Sequence, residues 1–232
     1  MAVIDRPLIL PKLAFLTAWS MLDIGEMPPA FGTGLQHWTS ADGRRELESR
    51  TMVALNDLGL ARNDRLNELW RSTVAVLAGA GREYYAFSNF AGGQACSVLI
   101  AAGDGDAIRA VIDDKVVAQE PIEDRWFATA LLDTLPDVPG AVIRPTRVAQ
   151  DDLDSINEVM RRPRRAVHQI YVARRDSDGE RCRSMPISAI DLEESGRVLV
   201  YTDGDDNLVM IPGTAREFVL ALNNTYAALA EP

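Results

Sequence analysis

The chain has 232 residues, of which 47% are hydrophobic and 25% charged, which is typical of a globular protein with its own core. Its formal net charge of −10 repels phosphate backbones and argues against a nucleic-acid partner. Two cysteines, Cys96 and Cys182, are too few for a disulfide framework, so we expect reduced thiols in a cytoplasmic protein. The N-terminal region lacks an apolar run of about 20 residues, so we expect no stable membrane insertion.

The first eighty residues carry helical periodicity. The pattern predicts a short edge strand at residues 7–10 and a helix at about 11–23. Thr39, Ser40 and Asp42 are candidate N-caps for a second helix that ends near Gly59. Asp64 is expected to cap a third helix, which two glycines end near residue 80.

From residue 82 onward, strand-like segments replace the helices. The sequence predicts strands at 82–90, 94–101 and 107–112, and the turn Ala91-Gly92-Gly93 joins the first two as a hairpin. A fourth helix is predicted at about 123–135, and Pro136 ends it.

Pro139, Gly140 and Pro145 favour turns and predict a linker at residues 136–146. The linker separates an N-terminal half, 1–138, from a C-terminal half, 146–232. The second half repeats the order of the first: helix, antiparallel strands, helix. The predicted elements are a helix at 151–161, strands at 167–174, 181–190, 197–201 and 208–211, and a helix at 214–229. We therefore interpret the chain as one domain of two similar halves.

Catalytic signatures are missing from the sequence. His37 and His168 are the two candidate general bases, and neither lies in a nucleophile elbow or a paired-histidine metal motif. We interpret each as a surface or packed histidine. No phosphate-binding glycine loop occurs, and we expect no cofactor, no metal and no enzymatic activity.

Two charged clusters have alternative interpretations. The segment 203–207 resembles part of a calcium loop but lacks the closing glutamate, and a tight hairpin turn explains it. The basic run 161–165 fits either a contact for an acidic partner or nucleic acid, or a helix C-terminus at which cations oppose the dipole.

Several collinear segments resemble the EspG family of ESX (type VII) secretion-associated proteins. Each segment is short, and their common order along nearly the whole chain carries the resemblance. They are Leu22–Pro28, Leu55–Leu60, Leu132–Pro136, Ile187–Leu199 and Leu208–Thr214.

The resemblance implies an α+β fold in which a central antiparallel sheet is flanked by two helical bundles in a quasi-two-fold arrangement. It also implies a cytoplasmic chaperone that binds PE–PPE heterodimers and covers the apolar tip of the PPE helical bundle with its sheet, a hairpin loop and the C-terminal bundle. The hairpin loop at 89–93 is shorter here than the family pattern, so we expect a different or smaller substrate surface.

A chaperone of this kind is expected to present an apolar groove with a polar rim. Exposed aromatic residues on the sheet and polar neighbours form the candidate partner-binding set, which comprises Tyr84, Asn89, Phe90, Gln94, Gln169 and Tyr171. Two alternatives remain open at this stage: a small ligand-binding domain or enzyme of unknown type, and an acidic immunity or inhibitor protein that binds a basic toxin. The sequence also leaves homodimerisation open.

Overall fold

A computed structural model describes residues 3–32, 40–63, 65–149 and 154–229. The chain forms two compact units: the first consists of Met1–Gly81 and Ser97–Arg125, the second of Arg82–Cys96 and Trp126–Pro232. Helices and antiparallel strands occur in both units, which confirms the predicted α+β class. Elements are numbered below in chain order.

The first unit packs helices against an antiparallel sheet. Four of its strands pair in the order β1-β7-β6-β5, and β2 and β3 form a separate small hairpin. Its elements are β1 (Leu8–Pro11), α1 (Lys12–Leu22), α2 (Ala41–Asp57), β2 (Ala61–Arg62), β3 (Arg65–Leu66), α3 (Glu68–Gly79), most of β5 (Ala95–Gly103), β6 (Asp106–Ile112) and β7 (Val116–Ile122).

Aromatic side chains fill the core of the first unit. The rings of Phe15 and Phe31 stack with centroids 4.7 Å apart, and Trp70 meets Phe15 edge-on at 6.4 Å. The indole N–H of Trp70 donates to the side-chain oxygen of Gln119 at 3.1 Å, which satisfies two polar groups inside the core. This contact connects α3 with β7.

Two helix starts in this unit show how local capping decides the boundaries. The second helix begins as predicted, because the Ser40 hydroxyl accepts the N–H of Gly43 at 3.1 Å. Asp64 lies outside the described residues, and the prediction that α3 begins there is wrong. Arg65 and Leu66 instead form β3, which pairs with β2. Asn67 caps α3 by accepting the N–H of Leu69 at 2.8 Å.

The strand β7 was not predicted from the sequence. Gln119 and Glu120 interrupt its apolar alternation, and Pro121, which lacks a backbone N–H, follows them. The strand forms because Gln119 finds a buried partner in Trp70. Gln119 and Glu120 therefore break the alternation of apolar residues from which a strand is predicted.

The second unit contains a long antiparallel sheet with the strand order β4-β9-β11-β12-β13-β8, and β10 pairs with the end of β9. Its elements are β4 (Arg82–Phe90), α4 (Phe127–Leu132), β8 (Thr146–Ala149), α5 (Asp154–Met160), β9 (Arg164–Arg175), β10 (Arg181–Arg183), β11 (Ile187–Leu192), β12 (Gly196–Thr202), β13 (Asn207–Pro212) and α6 (Ala215–Ala228).

Three boundaries in this unit differ from the predictions. The strand predicted at 181–190 is two strands, β10 and β11, with Pro186 between them. The helix predicted at 123–135 is a 3-10 turn followed by the short α4. The strand β8 begins at Thr146, at the end of the predicted linker.

The predicted linker segment also pairs with β12. Backbone hydrogen bonds join Arg197 N–H to the Pro139 carbonyl at 2.7 Å and Ala141 N–H to the Arg197 carbonyl at 2.8 Å. Gly196 makes this close approach sterically allowed, because it has a φ of +86° and a Cβ there would lie 2.5 Å from the Pro139 carbonyl oxygen.

A buried polar network connects four strands of the second unit. His168 on β9 lies between Ser88 on β4, at 2.8 Å, and Asp191 on β11, at 3.2 Å. Arg197 on β12 donates to both oxygens of Asp191, at 2.6 and 2.9 Å, and to the Pro136 carbonyl at 2.8 Å. We call these four side chains the core network.

The hairpin turn between β12 and β13 confirms the interpretation of segment 203–207 as a tight turn. The backbone N–H groups of Asp205 and Asn207 donate to the carboxylate of Asp203. Arg147 on β8 donates to Asp203 at 2.5 Å and to Asp205 at 2.6 Å. Hydrogen bonds from Arg147 and the turn backbone lower the pKa of Asp203 to about 2.

The Asp203 carboxyl is expected to titrate far below an ordinary aspartate. Its folded pKa lies below its unfolded value of about 3.9, so its contribution to stability is present above that pH and is lost as the pH falls toward 2. Arg147→Gln should move the Asp203 midpoint upward toward the ordinary value, as measured by carboxyl-detected NMR titration. An unchanged midpoint in the variant would show that the backbone donors alone set this pKa.

Removing Arg197 should destabilise the protein strongly, because the buried carboxylate of Asp191 loses its cationic partner. We expect Arg197→Leu to cost about 3–5 kcal/mol in free energy of unfolding, as measured by urea denaturation. Arg45→Leu is the matched control, since Arg45 pairs with Asp42 on the exposed surface of α2 and its loss should matter far less. Equal effects of the two substitutions would contradict the account.

Candidate functional site

The core network contains a serine, a histidine and an aspartate in hydrogen-bonding order, as in serine hydrolases. Here, however, Ser88 binds the Nδ1 atom of His168, the position that the aspartate takes in a hydrolase triad. Ser88 and Asp191 are 1% exposed and His168 is 0% exposed, so a substrate carbonyl has no approach to the serine oxygen. His168 is packed in the core, which confirms one of the two predicted interpretations. His37 lies outside the described residues.

The electrostatics of the network also favour a structural role. Burial alone would raise the pKa of Asp191, but the hydrogen bonds from His168 and Arg197 outweigh it and hold that pKa below its ordinary value. Asp191 therefore stays ionised and paired with Arg197. A carboxylate neutralised in this way holds the strands together and leaves little charge to assist proton transfer through His168.

The register of β4 and β9 decides which candidate residues share a surface. Residues opposite each other in an antiparallel pair lie on the same face of the sheet. Phe87 pairs with Gln169, Asn89 pairs with Val167, and Tyr171 pairs with Tyr85. Three of the predicted partner-binding residues, Asn89, Gln169 and Tyr171, therefore lie on one face.

Tyr84 lies on the opposite face and is 0% exposed, so the expectation of an exposed aromatic there is wrong. Its ring packs edge-on against Phe127 of α4 at 5.0 Å and against Tyr226 of α6 at 6.1 Å. Arg82 lies over its ring at 5.0 Å, and burial raises the pKa of the Tyr84 phenol. The helices cover this face, which removes Tyr84 from contact with any partner.

Phe90 and Gln94 are also separate from the Tyr171 face. The half-buried ring of Phe90 meets the ring of His168 at 5.9 Å, on the same side of the sheet as Tyr84. Gln94 is exposed in the hairpin turn, where its carbonyl accepts the N–H of Phe90 at 2.9 Å. The structure does not bring these two side chains together with Gln169 and Tyr171.

The Tyr171 face carries a cluster of aromatic rings. Tyr85 stacks on Tyr171 with centroids 5.1 Å apart and an interplanar angle of 14°, and Phe87 meets both rings edge-on. Phe87 and Tyr171 are half-buried, whereas Asn89 and Gln169 beside them are exposed. We call these five residues the aromatic surface. It combines apolar ring area with amide donors and acceptors, as protein-binding surfaces do.

The strand β10 supports one end of the aromatic surface. The guanidinium of Arg181 lies 5.1 Å from the centroid of Tyr85 and donates to both oxygens of the buried Glu83, at 3.0 and 2.8 Å. Arg183 lies 5.1 Å from the centroid of Tyr171. These contacts hold the rings in place before any partner arrives.

Tyr85 and Phe87 are central to this cluster and were not predicted from the sequence. Their alternation with Asn89 along β4 was the signal that could have found them, because residues at i, i+2 and i+4 share one face of a strand. Tyr84 and Tyr85 are both buried, and the sequence alone does not show which face of β4 the helices cover.

Features that would suggest a small-molecule or metal site are weak in the described residues. A cavity of about 280 Å³ in the first unit is lined mainly by apolar residues, with Asp5, Arg6 and Asn67 as its polar members. Within the described ranges, no group of three histidine, cysteine, aspartate or glutamate side chains is placed to hold a metal ion. None of the helices there combines the length and hydrophobicity needed to cross a membrane. Neither Cys96 nor Cys182 forms a disulfide.

Comparison with solved structures finds the same fold in a Mycobacterium tuberculosis protein, the type VII secretion system chaperone EspG5, solved in complex with the PE25–PPE41 dimer. The two chains superpose with a TM-score of 0.74 over 94% of this chain and 95% of that chain, at 14% sequence identity. The agreement extends to the antiparallel α+β architecture, as predicted.

Comparison of the sequence gives the family. No curated protein matches the chain in sequence at a significant level. The model of the EspG family matches residues 11–224, which is nearly the whole chain and covers most of both units. The chain therefore belongs to the EspG family.

Proposed function

We propose that this protein is a cytoplasmic chaperone of an ESX (type VII) secretion system that binds a helical PE–PPE-like secretion substrate. Membership of the EspG family carries this proposal. The likeness of fold to EspG5, which was solved with a PE–PPE dimer, supports it. A role in binding agrees with the burial of Ser88, His168 and Asp191, the arrangement in the described residues that resembles a catalytic triad.

The aromatic surface is the part of the sheet that fits this role. Phe87 and Tyr171 are each half-buried in the free chain, so a partner can cover the remaining ring area. Fully burying an aromatic side chain contributes about 1.5–3 kcal/mol, so covering the remaining half of both rings contributes roughly that amount in total. Gln169 and Asn89 provide amide groups at the rim for hydrogen bonds to the substrate backbone.

The short hairpin at the end of β4 shapes the surface. Its turn is closed by two backbone hydrogen bonds, from Phe90 N–H to the Gln94 carbonyl and from Gly93 N–H to the Phe90 carbonyl. A turn this tight projects little beyond the strands. We therefore propose that strand residues make most of the contacts to the substrate tip, and that Gln94 in the turn contacts only its edge.

Co-expression tests the proposal directly. The protein is produced together with each PE–PPE-like pair encoded in its own genome, and the mixture is analysed by size-exclusion chromatography with light scattering. We expect one pair to elute with the protein as a stable complex of one chaperone and one heterodimer. Separate elution of every pair would reject the chaperone proposal.

Substituting the half-buried rings should weaken that complex. Phe87→Ser combined with Tyr171→Ser removes the apolar centre of the aromatic surface, and we expect a loss of about 2 kcal/mol or more, roughly a thirtyfold rise in Kd. Calorimetric titration with the purified heterodimer measures the change. Circular dichroism of the double variant and of the wild type checks that the two share one fold.

Val53→Ser is the matched control for this experiment. Val53 is an exposed apolar residue of α2, with 58% of its surface accessible, and it lies in the first unit. Its substitution should leave the Kd unchanged. An equal loss of affinity in the control, or no loss in the double variant, would place the substrate elsewhere on the protein.

A further inference from the structure

Arginines lie on the aromatic surface's side of the sheet, although the protein as a whole carries a net charge of −10. Arg175 on β9 pairs with Arg181 on β10, and Arg183 pairs with Ala173, so all three arginines share the face of Tyr171. Glu83 on this face is buried and neutralises Arg181. The end of the aromatic surface next to β10 is therefore locally cationic.

Arg183, unlike Arg181, has no carboxylate partner among the described residues. Its side chain is exposed, and its one described contact is the stack over the ring of Tyr171, with 5.1 Å between Cζ and the ring centroid. Stacking occupies the flat face of a guanidinium and leaves the N–H donors at its edge free. These donors suit a carboxylate, which a guanidinium binds through two parallel hydrogen bonds.

The turn between β9 and β10 is closed by its own hydrogen bonds. One carboxylate oxygen of Asp176 accepts the backbone N–H groups of Asp178 and Glu180, both at 2.9 Å. Arg175 donates to the Gly179 carbonyl of the same turn at 3.1 Å. Among the described residues of this turn, no carboxylate pairs with Arg183.

We propose that Arg183 selects substrates whose apolar tip has a carboxylate side chain beside it. This inference rests on the proposed function and specifies the chemistry of the partner. The apolar part of the tip covers Phe87 and Tyr171, and the neighbouring aspartate or glutamate pairs with the guanidinium of Arg183. The stack on Tyr171 holds the guanidinium in place, so little side-chain entropy is lost when the pair forms.

Designed helical hairpins test this charge preference without a natural substrate. Three hairpins share the same two-leucine tip and differ only in the flanking residues, which are glutamate, glutamine or lysine. Fluorescence anisotropy with the full-length protein at about 0.05 M salt gives the Kd of each. We expect the glutamate hairpin to bind about tenfold more tightly than the lysine hairpin. The difference should shrink at about 1 M salt, at which the screening length is about 3 Å.

Variants of Arg183 assign the preference to this residue. Arg183→Gln should remove most of the difference between hairpins, and Arg183→Glu should reverse their order. Arg44→Glu is the matched control, because it makes the same change in net charge at an exposed position of α2 and should preserve the preference.

The outcomes separate this inference from the proposed function. Equal binding of all three hairpins, or a preference that survives Arg183→Glu, overturns the inference alone. Binding of none of the hairpins overturns the inference and also the assignment of the aromatic surface as the docking site. Failure of every PE–PPE-like pair to form a complex rejects the proposed function itself.

Discussion

The paired charges of Asp191 and Arg197 are buried in the second unit, where an unpaired charge would cost several kcal/mol. Their two hydrogen bonds, together with the bonds of Asp191 to His168 and of His168 to Ser88, pair the buried polar side chains of the core network with one another. The participating residues come from four strands, and shifting any of these strands by one residue would leave a buried polar group without its partner. The core network therefore specifies the register of the sheet more strictly than apolar packing does.

Register in turn decides what the sheet presents to a partner. Ser88 and His168 are opposite one another and point toward the helix-covered face, so the flanking residues of β4 and β9 point the other way. Tyr85 and Tyr171 are brought into a stacked pair by this pairing. Ser88, His168 and Asp191, whose residue types match a catalytic triad, thus position the proposed binding surface on the other face of the sheet.

The sequence was sufficient for the elements whose signals are local. Amphipathic periodicity predicted α2 and α6 near their observed starts, and Ser40 was among the candidate caps of α2. The proposed binding face was predicted only in part: Asn89, Gln169 and Tyr171 lie on it, and Tyr84 lies on the opposite face. Tyr84 and Tyr85 are adjacent, and a strand places adjacent residues on opposite faces. Both rings are buried, and which face of β4 stays open to a partner depends on where α4 and α6 pack, a contact that is far away in the sequence. The core network was invisible for the same reason, since Ser88 and His168 are 80 residues apart.

Site-specific photo-cross-linking tests most directly whether the aromatic surface holds the substrate. A benzophenone amino acid at the exposed position of Gln169 should cross-link to the PPE-like chain of a co-purified heterodimer, and the same probe at Val53 should not. Mass spectrometry of the cross-linked peptide would then identify the apolar tip of the substrate. Cross-linking from position 53 but not from position 169, within an intact complex, would contradict the account.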